Sequence, residues 1–417
     1  MLKSNEIIRL ISEISNHITH EPNIDLVLKS VIENIHTVLN ANRASILLFD
    51  ETRKDLVMKV SIGIDRIKAG QIRIPMGKGI AGYVAETKKC LLLTEDKDFE
   101  KFGIRHDPLK YKQKSAISVP LLYKEHLLRV LNLNDKNNNE KFDQNDFLVT
   151  KIIANQAAVA INNSNLFNHY LEKVKLKQSI LVAREIQQHF LPKISPKLPG
   201  FSIVSWGKTC DETGGDYYDF FHYLKDQFAI IIGDVAGHGI GAALIMASAR
   251  AALKAYAEDL PNVEDVYFKL NNLLESNLVY SNFMTLLMVL LNTKDGSFRY
   301  ISGGHDGPLL YKQDEKKFIS YSSNGMVLGV LSNVTYTLSE SIKLEKNDFF
   351  LLFTDGLYEL RNEKGEIMGK KKLIDYVSQH NYLSPEELLK KIISFWHDYK
   401  GLSNQEDDIS LIIVKKD

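Results

Sequence analysis

The spacing of apolar residues divides the chain into segments with helical and strand periodicity. Up to about Asn40 they recur every three or four positions, which predicts a helical region interrupted at Pro22. The residues on this face are Ile7, Leu10, Ile11, Ile14, Leu26, Val27, Val31, Ile35 and Leu39. Strands are then predicted in ASILLFD, DLVMKVSIG and SAISVPLLYKEHLLRVLNLNDK, the last as an antiparallel pair joined at Lys124-Glu125. KGIAGYVAETKK, between the strand groups, predicts a short helix.

A long helix is predicted from Asp146 to about Leu191. Its apolar residues keep an alternating spacing of four and three positions, which is the seam of a coiled coil with two polar interruptions. The seam consists of Ala160, Ser164, Phe167, Leu171, Val174, Gln178 and Leu181. One helix cannot bury such a seam alone, so the pattern predicts a homodimer. The alternative is a helix that breaks near Asn162-Asn163, with each half packed on its own domain.

A domain boundary is predicted where prolines and a glycine cluster, at Pro192, Pro196, Pro199 and Gly200. After it the pattern indicates elements in the order β, β, α, α, β, β and a final strand, ISLIIVKK. Runs of strands with helices between them favour an α+β sandwich over a parallel sheet. We therefore predict three parts: a first domain at 1–167, a helical linker at 168–195 and a second domain at 196–417.

The amino-acid composition limits the classes of protein to which the chain can belong. With 417 residues, 44% of them hydrophobic, the chain can form two or three domains that each bury a core. Lys plus Arg and Asp plus Glu both number 52, and this zero net charge argues against a nucleic-acid partner. The two cysteines, Cys90 and Cys210, fall in different predicted domains and cannot make a disulfide framework or a four-thiolate zinc site.

The sequence shows no pattern typical of export or of a membrane span. Charged residues interrupt the apolar residues near Met1, so there is no signal-peptide core. The longest apolar run, MTLLMVLL, is far shorter than the roughly 20 residues that cross a bilayer. We therefore expect a cytoplasmic protein without a membrane partner.

Acidic residues recur at the ends of apolar strands in the second domain. Asp216 follows two glycines in GGDYYD, and Asp234 ends the strand FAIIIGD. Asp355 ends FLLFTD, and the acids Asp407 and Asp408 open the last strand, EDDISLIIV. Burying a carboxylate without a partner is costly, so four such sites on strands that can lie side by side need a common cation.

The oxygen ligands that this cluster offers indicate which cation binds there and which reaction it supports. Hard divalent cations prefer oxygen ligands, so the cluster indicates Mg²⁺ or Mn²⁺, and the neighbouring glycines let the Val235 carbonyl approach as a further ligand. Two ions bridged by a carboxylate would lower the pKa of a water held between them, and the hydroxide could attack phosphorus in line. The sequence therefore predicts hydrolysis of a phosphate ester. The catalytic and metal-binding candidates are Asp216, Asp234, Asp355 and Asp407, with the carbonyl of Val235.

Five motifs carry a resemblance to a known family. ETGGDYYD, GDVAGHGIGAAL, SGGHDGPLL, LLFTDGLYE and DDISLIIV stand in the order found in SpoIIE-type phosphatases, a bacterial branch of the metal-dependent type 2C protein phosphatases. The match runs from about Ala183 to Asp417, and REIQQHFLP resembles the family's entry helix. The resemblance implies an α-β-β-α sandwich and two Mn²⁺ or Mg²⁺ ions on the candidate residues, with Asp234 as the bridging ligand.

The resemblance also implies a substrate, a phosphoserine or phosphothreonine on an anti-anti-sigma factor of the STAS type. Eukaryotic relatives hold the substrate phosphate with an arginine near the start of the domain, and the sequence offers no counterpart to it. His305 fits the family motif, where a structural and a catalytic role both stay open. His238 is expected in a loop that faces solvent or substrate.

The first domain resembles GAF sensory domains over about Ile24 to Phe167. The resemblance rests on RASILLFD, IPMGKGIAGYVAETKKCLLL, SAISVPLLYKEHLLRVLNLNDK and FDQNDFLVTKIIANQAAVAINNSNLF. It implies an antiparallel sheet with flanking helices, and an unidentified ligand or regulator. A cyclic-nucleotide signature is matched only loosely, at Asn134, Lys136, Phe142 and Asp146. We hypothesise that the helical linker conveys a signal from this domain to the loop that carries Asp216 or to the helix after Gly241.

Two other functions compete with a regulated phosphatase. A sensor histidine kinase would use His189 as phosphoacceptor and DVAGHGI as a nucleotide-binding turn, but it would leave Asp355 and Asp407 without a task. A phosphatase-like scaffold would bind a phosphoprotein without turnover, although every candidate metal ligand is present. Turnover of a phosphoserine peptide that depends on a metal ion separates these functions.

Overall fold

The structure is a computed structural model that describes residues 23–50, 52–64, 72–103, 115–138, 140–277 and 282–417. Its contacts divide the chain into two compact units, Met1–Lys175 and Leu176–Asp417. The division falls inside the segment predicted as a linker, 168–195. The predicted helical face at Ile7, Leu10, Ile11 and Ile14 lies outside the described residues.

The first unit contains one antiparallel sheet with the strand order β3-β2-β1-β6-β5-β4. Its strands are β1 Ala41–Asp50, β2 Asp55–Ile62, β3 Arg73–Pro75, β4 Leu91–Leu93, β5 Ala116–Tyr123 and β6 His126–Lys136. β5 and β6 pair as far as Tyr123 and His126, and Lys124 between them takes a positive φ of 51°. The hairpin predicted at Lys124-Glu125 is therefore confirmed.

Helices flank this sheet, as predicted for the first domain. They are α1 Ile24–Val38, α2 Gly79–Thr87, α3 Asp96–Glu100 and the first part of α4 Gln144–Phe190. The side chain of Asn23 caps α1 by accepting a hydrogen bond from the Asp25 backbone N–H at 2.9 Å. The prediction that Leu26 faces the core is wrong, because Leu28 and Ile32 take the inward positions and Leu26 is 50% exposed.

Helix α4 has the predicted extent and runs without a break at Asn162-Asn163. The first two residues of the predicted seam, Ala160 and Ser164, are buried within the first unit. Between Leu166 and Ile186 most large apolar residues of α4 are exposed, whereas Val174 and Ile180 are half-buried. The exposed ones are Leu166, Phe167, Tyr170, Leu171, Leu176, Leu181, Val182 and Ile186. The homodimer stays a prediction, and its seam begins at Phe167 because the earlier positions already have partners in the same chain.

The second unit contains two antiparallel sheets of five strands each. Sheet I has the order β14-β11-β10-β9-β8, and sheet II has the order β13-β12-β15-β16-β7. The strands are β7 Phe201–Lys208, β8 Tyr217–Leu224, β9 Gln227–Val235, β10 Met284–Asn292, β11 Ser297–Gly303, β12 Leu309–Lys312, β13 Lys317–Ser320, β14 Ile342–Lys343, β15 Phe349–Phe353 and β16 Ile409–Lys416.

In the described part of this unit, four helices cover the outer faces of the two sheets, which gives the α-β-β-α sandwich that the resemblance implied. They are α5 Ile240–Asp259 and α6 Val263–Asn277 on sheet I, and α7 Lys370–Gln379 and α8 Pro385–Lys400 on sheet II. Along β9, Ile230 and Ile232 face sheet II, whereas Ala229 and Ile231 face the helices. Both faces of the central strands are buried, so these strands are apolar throughout.

The predicted order of elements in this unit is incomplete. Three strands, β7 to β9, precede α5 where two are predicted, and six strands, β10 to β15, follow α6 where two are predicted before the final strand. Helices α7 and α8 were missing between β15 and β16. Helix α7 buries only Leu373 and Val377 and carries lysines in its first turn, so its apolar face is too narrow to mark a helix in the sequence.

Helix α5 is the one helix in the described part of the chain that is long and apolar enough to cross a bilayer, judged by length and composition. It packs one face on sheet I through Ala242, Met246, Ala249, Leu253 and Ala257. This spacing of three and four positions is typical of a core helix in a globular domain.

Candidate metal centre

Two of the predicted acids lie together at one edge of sheet I. Tyr217, the first residue of β8, pairs with Gly233 of β9. Asp216 comes one residue before Tyr217, and Asp234 comes one residue after Gly233. The antiparallel register therefore places the two carboxylates next to each other.

The other two predicted acids lie together at an edge of sheet II. Phe353, the last residue of β15, pairs with Leu411 of β16. Asp355 follows β15, and Asp407 precedes β16 by two positions. Each acid therefore extends beyond the end of an apolar strand, as the sequence pattern predicted.

The hydroxyl of Thr354 connects the two edges. The Thr354 hydroxyl donates to Oδ2 of Asp216 at 2.9 Å and accepts a hydrogen bond from the Ser410 backbone N–H at 2.8 Å. Asp216 belongs to the edge of sheet I, whereas Thr354 and Ser410 belong to sheet II. The position of Asp216 therefore depends on both sheets.

The acids of the two edges interact electrostatically. Burial, and then the nearby charges of Asp355, Asp407 and Asp408, raise the pKa of Asp234 to about 8. Burial, followed by the charges of Asp234 and Asp408, raises the pKa of Asp216 well above its usual range. Burial also raises the pKa of Asp407 to about 6. The candidate ligands thus form one group of carboxylates that repel each other.

The arrangement fits divalent cations with oxygen ligands. Oδ1 of Asp216 is buried without a protein partner, which leaves a lone pair for a cation. A Cβ at position 215 would lie 2.7 Å from the Val235 carbonyl oxygen and 3.3 Å from Oδ1 of Asp234, so only glycine leaves both oxygens accessible. Carboxylate and carbonyl oxygens are the ligands that Mg²⁺ and Mn²⁺ prefer.

The carboxylates alone do not form a complete coordination site for one ion. Among the described residues, no three His, Cys, Asp or Glu side chains are grouped tightly enough to hold a metal ion. Mg²⁺ characteristically keeps several waters and takes only one or two carboxylates. The open arrangement suits such an ion better than a site made of protein ligands alone. The assignment of individual ligands stays a prediction.

Asp408 has a role that the sequence did not reveal. Its buried carboxylate accepts hydrogen bonds from the backbone N–H groups of Cys210 at 2.8 Å and Gly215 at 2.6 Å. It therefore holds the loop before β8, while Asp407 extends toward Asp355. The pair of adjacent acids was visible in the sequence, and the alternation of side chains before a strand is the signal that could have separated their roles.

Two histidines and a cysteine near the site have distinct environments. Nδ1 of His305 lies 2.9 Å from the Thr285 hydroxyl, and burial lowers its pKa to about 4, so the ring is neutral near pH 7. His238 is exposed and lies 2.6 Å from the Asp211 carboxylate. Burial and then the charge of Asp408 raise the pKa of Cys210 to about 12, so this thiol is not a nucleophile at neutral pH.

A cavity of about 210 Å³ opens beside the acids. Its lining residues include Asp234, Asp355, His305, Tyr358 and Lys370. Lys370, the first residue of α7, is the cation of this lining, and no sequence motif marks it. The sequence does not show that this end of α7 lies beside the acids, because a lysine in a polar helical segment is not in itself a sign of a binding site.

Comparisons with protein families agree with both resemblances. The family described as Stage II sporulation protein E (SpoIIE) matches residues 225–417, and the GAF domain family matches residues 23–161. The SpoIIE match contains Asp234, Val235, Asp355 and Asp407 and begins after Asp216.

Comparisons with individual proteins give the same picture. Phosphoserine phosphatase RsbU of Bacillus subtilis (strain 168) is 30% identical over 244 residues, which are 58% of this chain and 71% of RsbU. Phosphoserine phosphatase RsbP of the same strain is 23% identical over 248 residues, and the chain spans 59% of its length. The PP2C domain of SiaA from Pseudomonas aeruginosa superposes with a TM-score of 0.52 at 22% identity, over 59% of this chain and 98% of that domain. This last likeness shows the fold alone.

The raised pKa values predict how the stability of the metal-free protein depends on pH. Unfolded carboxyls ionise near pH 4, as is usual for Asp at about 3.9, whereas folded Asp407 and Asp234 ionise near pH 6 and pH 8. The folded state therefore binds more protons between about pH 4 and pH 8, and its stability falls as the pH rises through this window. We expect calorimetry in EDTA to give a lower melting temperature at pH 8 than at pH 6, by about 2–4 °C for each kcal/mol lost.

The variant Asp234→Asn isolates the contribution of one carboxyl. It should reduce the difference in melting temperature between pH 6 and pH 8 compared with the unmodified chain. An equal difference in both proteins would contradict the assigned pKa of Asp234.

Proposed function

The chain belongs to the SpoIIE family of PP2C-type phosphatases, and from this we propose that it is a GAF-regulated enzyme that hydrolyses phosphoserine or phosphothreonine monoesters on a protein. The identity to RsbU, a phosphoserine phosphatase, supports this function. The observation that carries it is the group of mutually repelling carboxylates at the two sheet edges, with Oδ1 of Asp216 buried and unpartnered.

The metal requirement is part of the proposal. Two Mn²⁺ or Mg²⁺ ions would be held by Asp216, Asp234, Asp355 and Asp407 with the Val235 carbonyl, and Asp234 would bridge them. When bound, such ions neutralise charge on the phosphoryl oxygens and lower the pKa of an attacking water. The chain contributes the arrangement of ligands: Thr354 orients the Asp216 carboxylate at 2.9 Å, and Gly215 leaves space beside the Val235 carbonyl.

Lys370 is proposed to bind the substrate phosphate, for which the sequence offered no arginine. Its Nζ contacts the Asp306 carboxylate, and it lies 4.7 Å from the centroid of the Tyr358 ring. The Tyr358 hydroxyl donates to the same Asp306 carboxylate at 3.4 Å. The ammonium group is therefore held at the wall of the cavity that Asp234 and Asp355 also line. A phosphate dianion in this cavity would gain a charge-assisted hydrogen bond from Lys370.

The cellular context is proposed from the family resemblance. The substrate would be a phosphorylated anti-anti-sigma factor of the STAS type, met in the cytoplasm. The GAF domain would bind a small ligand or a regulator. The balanced charge of 52 basic and 52 acidic residues agrees with a protein substrate and gives no support to a nucleic-acid one.

Regulation is proposed to pass through α4 in a homodimer. Between Leu166 and Ile186 this helix exposes eight large apolar side chains, and a contiguous exposed apolar surface is typical of an interaction site. Phe167 and Leu171 lie at the start of the unpaired seam, four positions apart. A second copy of the same helix would bury them by coiled-coil packing.

We expect hydrolysis of a phosphoserine peptide that depends on Mn²⁺ or Mg²⁺ and is blocked by EDTA. Asp234→Asn should lower kcat/KM by about 10²-fold or more, because it removes the carboxylate proposed to hold the metal ions that neutralise charge on the reacting phosphate. Asp226→Asn is the matched control, since this acid lies in the turn before β9 and pairs with Lys294. Tight binding of the phosphopeptide without turnover would instead favour the scaffold, and autophosphorylation from ATP would favour the kinase.

For Lys370→Gln we expect KM for the phosphoserine peptide to rise about tenfold, which corresponds to about 1.4 kcal/mol of lost binding. The Mn²⁺ concentration for half-maximal activity should not change, and Lys370→Arg should restore most of the loss. Lys371→Gln serves as control, because this neighbouring lysine is exposed and does not line the cavity. An unchanged KM in Lys370→Gln would contradict the proposed role of Lys370 in phosphate binding.

For the double variant Phe167→Glu/Leu171→Glu we expect a monomer in analytical ultracentrifugation and activity that no longer responds to the GAF domain. Negative charges on facing seam positions repel each other, so the helix pair cannot form. Asn168→Glu adds a charge at an exposed position outside the seam and should leave the dimer intact. A double variant with unchanged assembly and regulation would count against this role of α4.

A further inference from the structure

The loop that carries Asp216 has no regular secondary structure and is held by side chains from elsewhere in the second unit. It joins β7 to β8 and contains Gly214 and Gly215 directly before the acid. From one side, Asp408 accepts hydrogen bonds from Cys210 and Gly215, as described above. A Cβ at position 214 would overlap the Asp408 carboxylate, so the loop is packed closely against that side chain.

Gln187 holds the same loop from the other side. Its side-chain amide nitrogen donates to the Gly214 carbonyl at 2.5 Å, and its amide oxygen accepts from the Gly214 N–H at 3.1 Å. The side chain is only 6% exposed, although Gln187 lies in the last turns of the largely exposed part of α4. Both backbone polar groups of Gly214 are thus paired with one planar amide.

The end of α4 that carries Gln187 is itself anchored on the second unit. Phe190 and Leu191 pack against the core between sheet I and helices α5 and α6. The guanidinium of Arg250, on α5, lies 5.3 Å from the centroid of the Phe190 ring. The amide of Gln187 is therefore held at a fixed position and can hold the backbone of the loop in one conformation.

We propose that Gln187 is a positioning residue for the metal site, which sets the direction of the Asp216 carboxylate by fixing the backbone of Gly214. This inference rests on the proposed metal-dependent function and adds a residue that touches neither substrate nor metal. One residue, Gly215, separates the fixed backbone of Gly214 from Asp216, and the Asp216 carboxylate accepts a hydrogen bond from the Thr354 hydroxyl at its other end. Without its two hydrogen bonds to Gln187, the loop would keep its contacts with Asp408, but the backbone of residues 214–216 would no longer be held in one orientation.

The chemistry of the contact requires an amide. Gln presents one donor and one acceptor on a rigid plane, which matches the N–H and C=O of one residue. Glu at this position would accept from the Gly214 N–H but could not donate to its carbonyl at neutral pH. Met would keep the volume and lose both bonds, which leaves two buried backbone groups without partners.

The test uses the full-length chain with the variants Gln187→Met and Gln187→Glu, and Gln188→Ala as matched control because Gln188 is the exposed neighbour. Mn²⁺ binding is measured directly by isothermal titration calorimetry and by the loss of free-Mn²⁺ electron paramagnetic resonance signal, without substrate. We expect both Gln187 variants to bind at least one ion about tenfold more weakly, with kcat at saturating Mn²⁺ within about twofold, a difference of about 1.4 kcal/mol confined to metal affinity. Gln188→Ala should bind as the unmodified chain does.

A double-mutant cycle shows whether Gln187 acts through Asp216. In Asp216→Asn, the further change Gln187→Met should produce little additional loss of Mn²⁺ affinity, since the carboxylate to be positioned is gone. Full additivity overturns the proposal, and so does Mn²⁺ affinity in the Gln187 variants equal to that of the unmodified chain. Circular dichroism and melting curves complete the test: if both variants lose Mn²⁺ affinity only together with their folded signal, Gln187 serves the fold and the proposal is wrong.

Failure of the wider function gives a different result. In that case the unmodified chain itself neither binds Mn²⁺ nor hydrolyses the phosphoserine peptide. If the unmodified chain does both and the Gln187 variants match it, only the positioning role is lost.

Discussion

The candidate metal centre of the second unit depends on repulsion among carboxylates that are buried or half-buried at one place. Acids from two sheets meet at one place, where low exposure and neighbouring charges raise the pKa values of Asp216, Asp234 and Asp407. Hydrogen bonds from Thr354 to Asp216 and from the loop backbone to Asp408 offset part of this cost. The remainder is what a divalent cation would offset, so the same feature that strains the metal-free fold provides affinity for the metal.

The sequence predicted those parts of the fold that local patterns determine. Apolar runs that end in an acid gave the positions of Asp234 and Asp355, and the alternation around Lys124 gave the hairpin of the first unit. Helix α7 escaped prediction because its lysines leave it only a narrow apolar face. Thr354, Asp408 and Lys370 could not be assigned, since each acts through residues distant in the chain.

Helix α4 shows how far a periodic pattern can be interpreted. Its spacing of four and three positions continues from Ala160 to Leu181, yet Ala160 and Ser164 are buried in the first unit while Phe167 and Leu181 are exposed. The period predicts which residues share a face of the helix, but it does not predict which part of the protein covers that face. Tertiary contacts of the same chain cover its beginning, and only the remainder is free to meet a second copy.

The distance in sequence between the two halves of the site has a consequence for biosynthesis. The loop before β8 is fixed by an acid 193 positions further along the chain, in the contact between Gly215 and Asp408. A nascent chain on the ribosome therefore lacks the Asp408 contacts of this loop until residues 407 and 408 have emerged and β16 has joined its sheet. The loop that carries Asp216 is synthesised early in the domain, but it receives these hydrogen bonds only after both sheets have been translated.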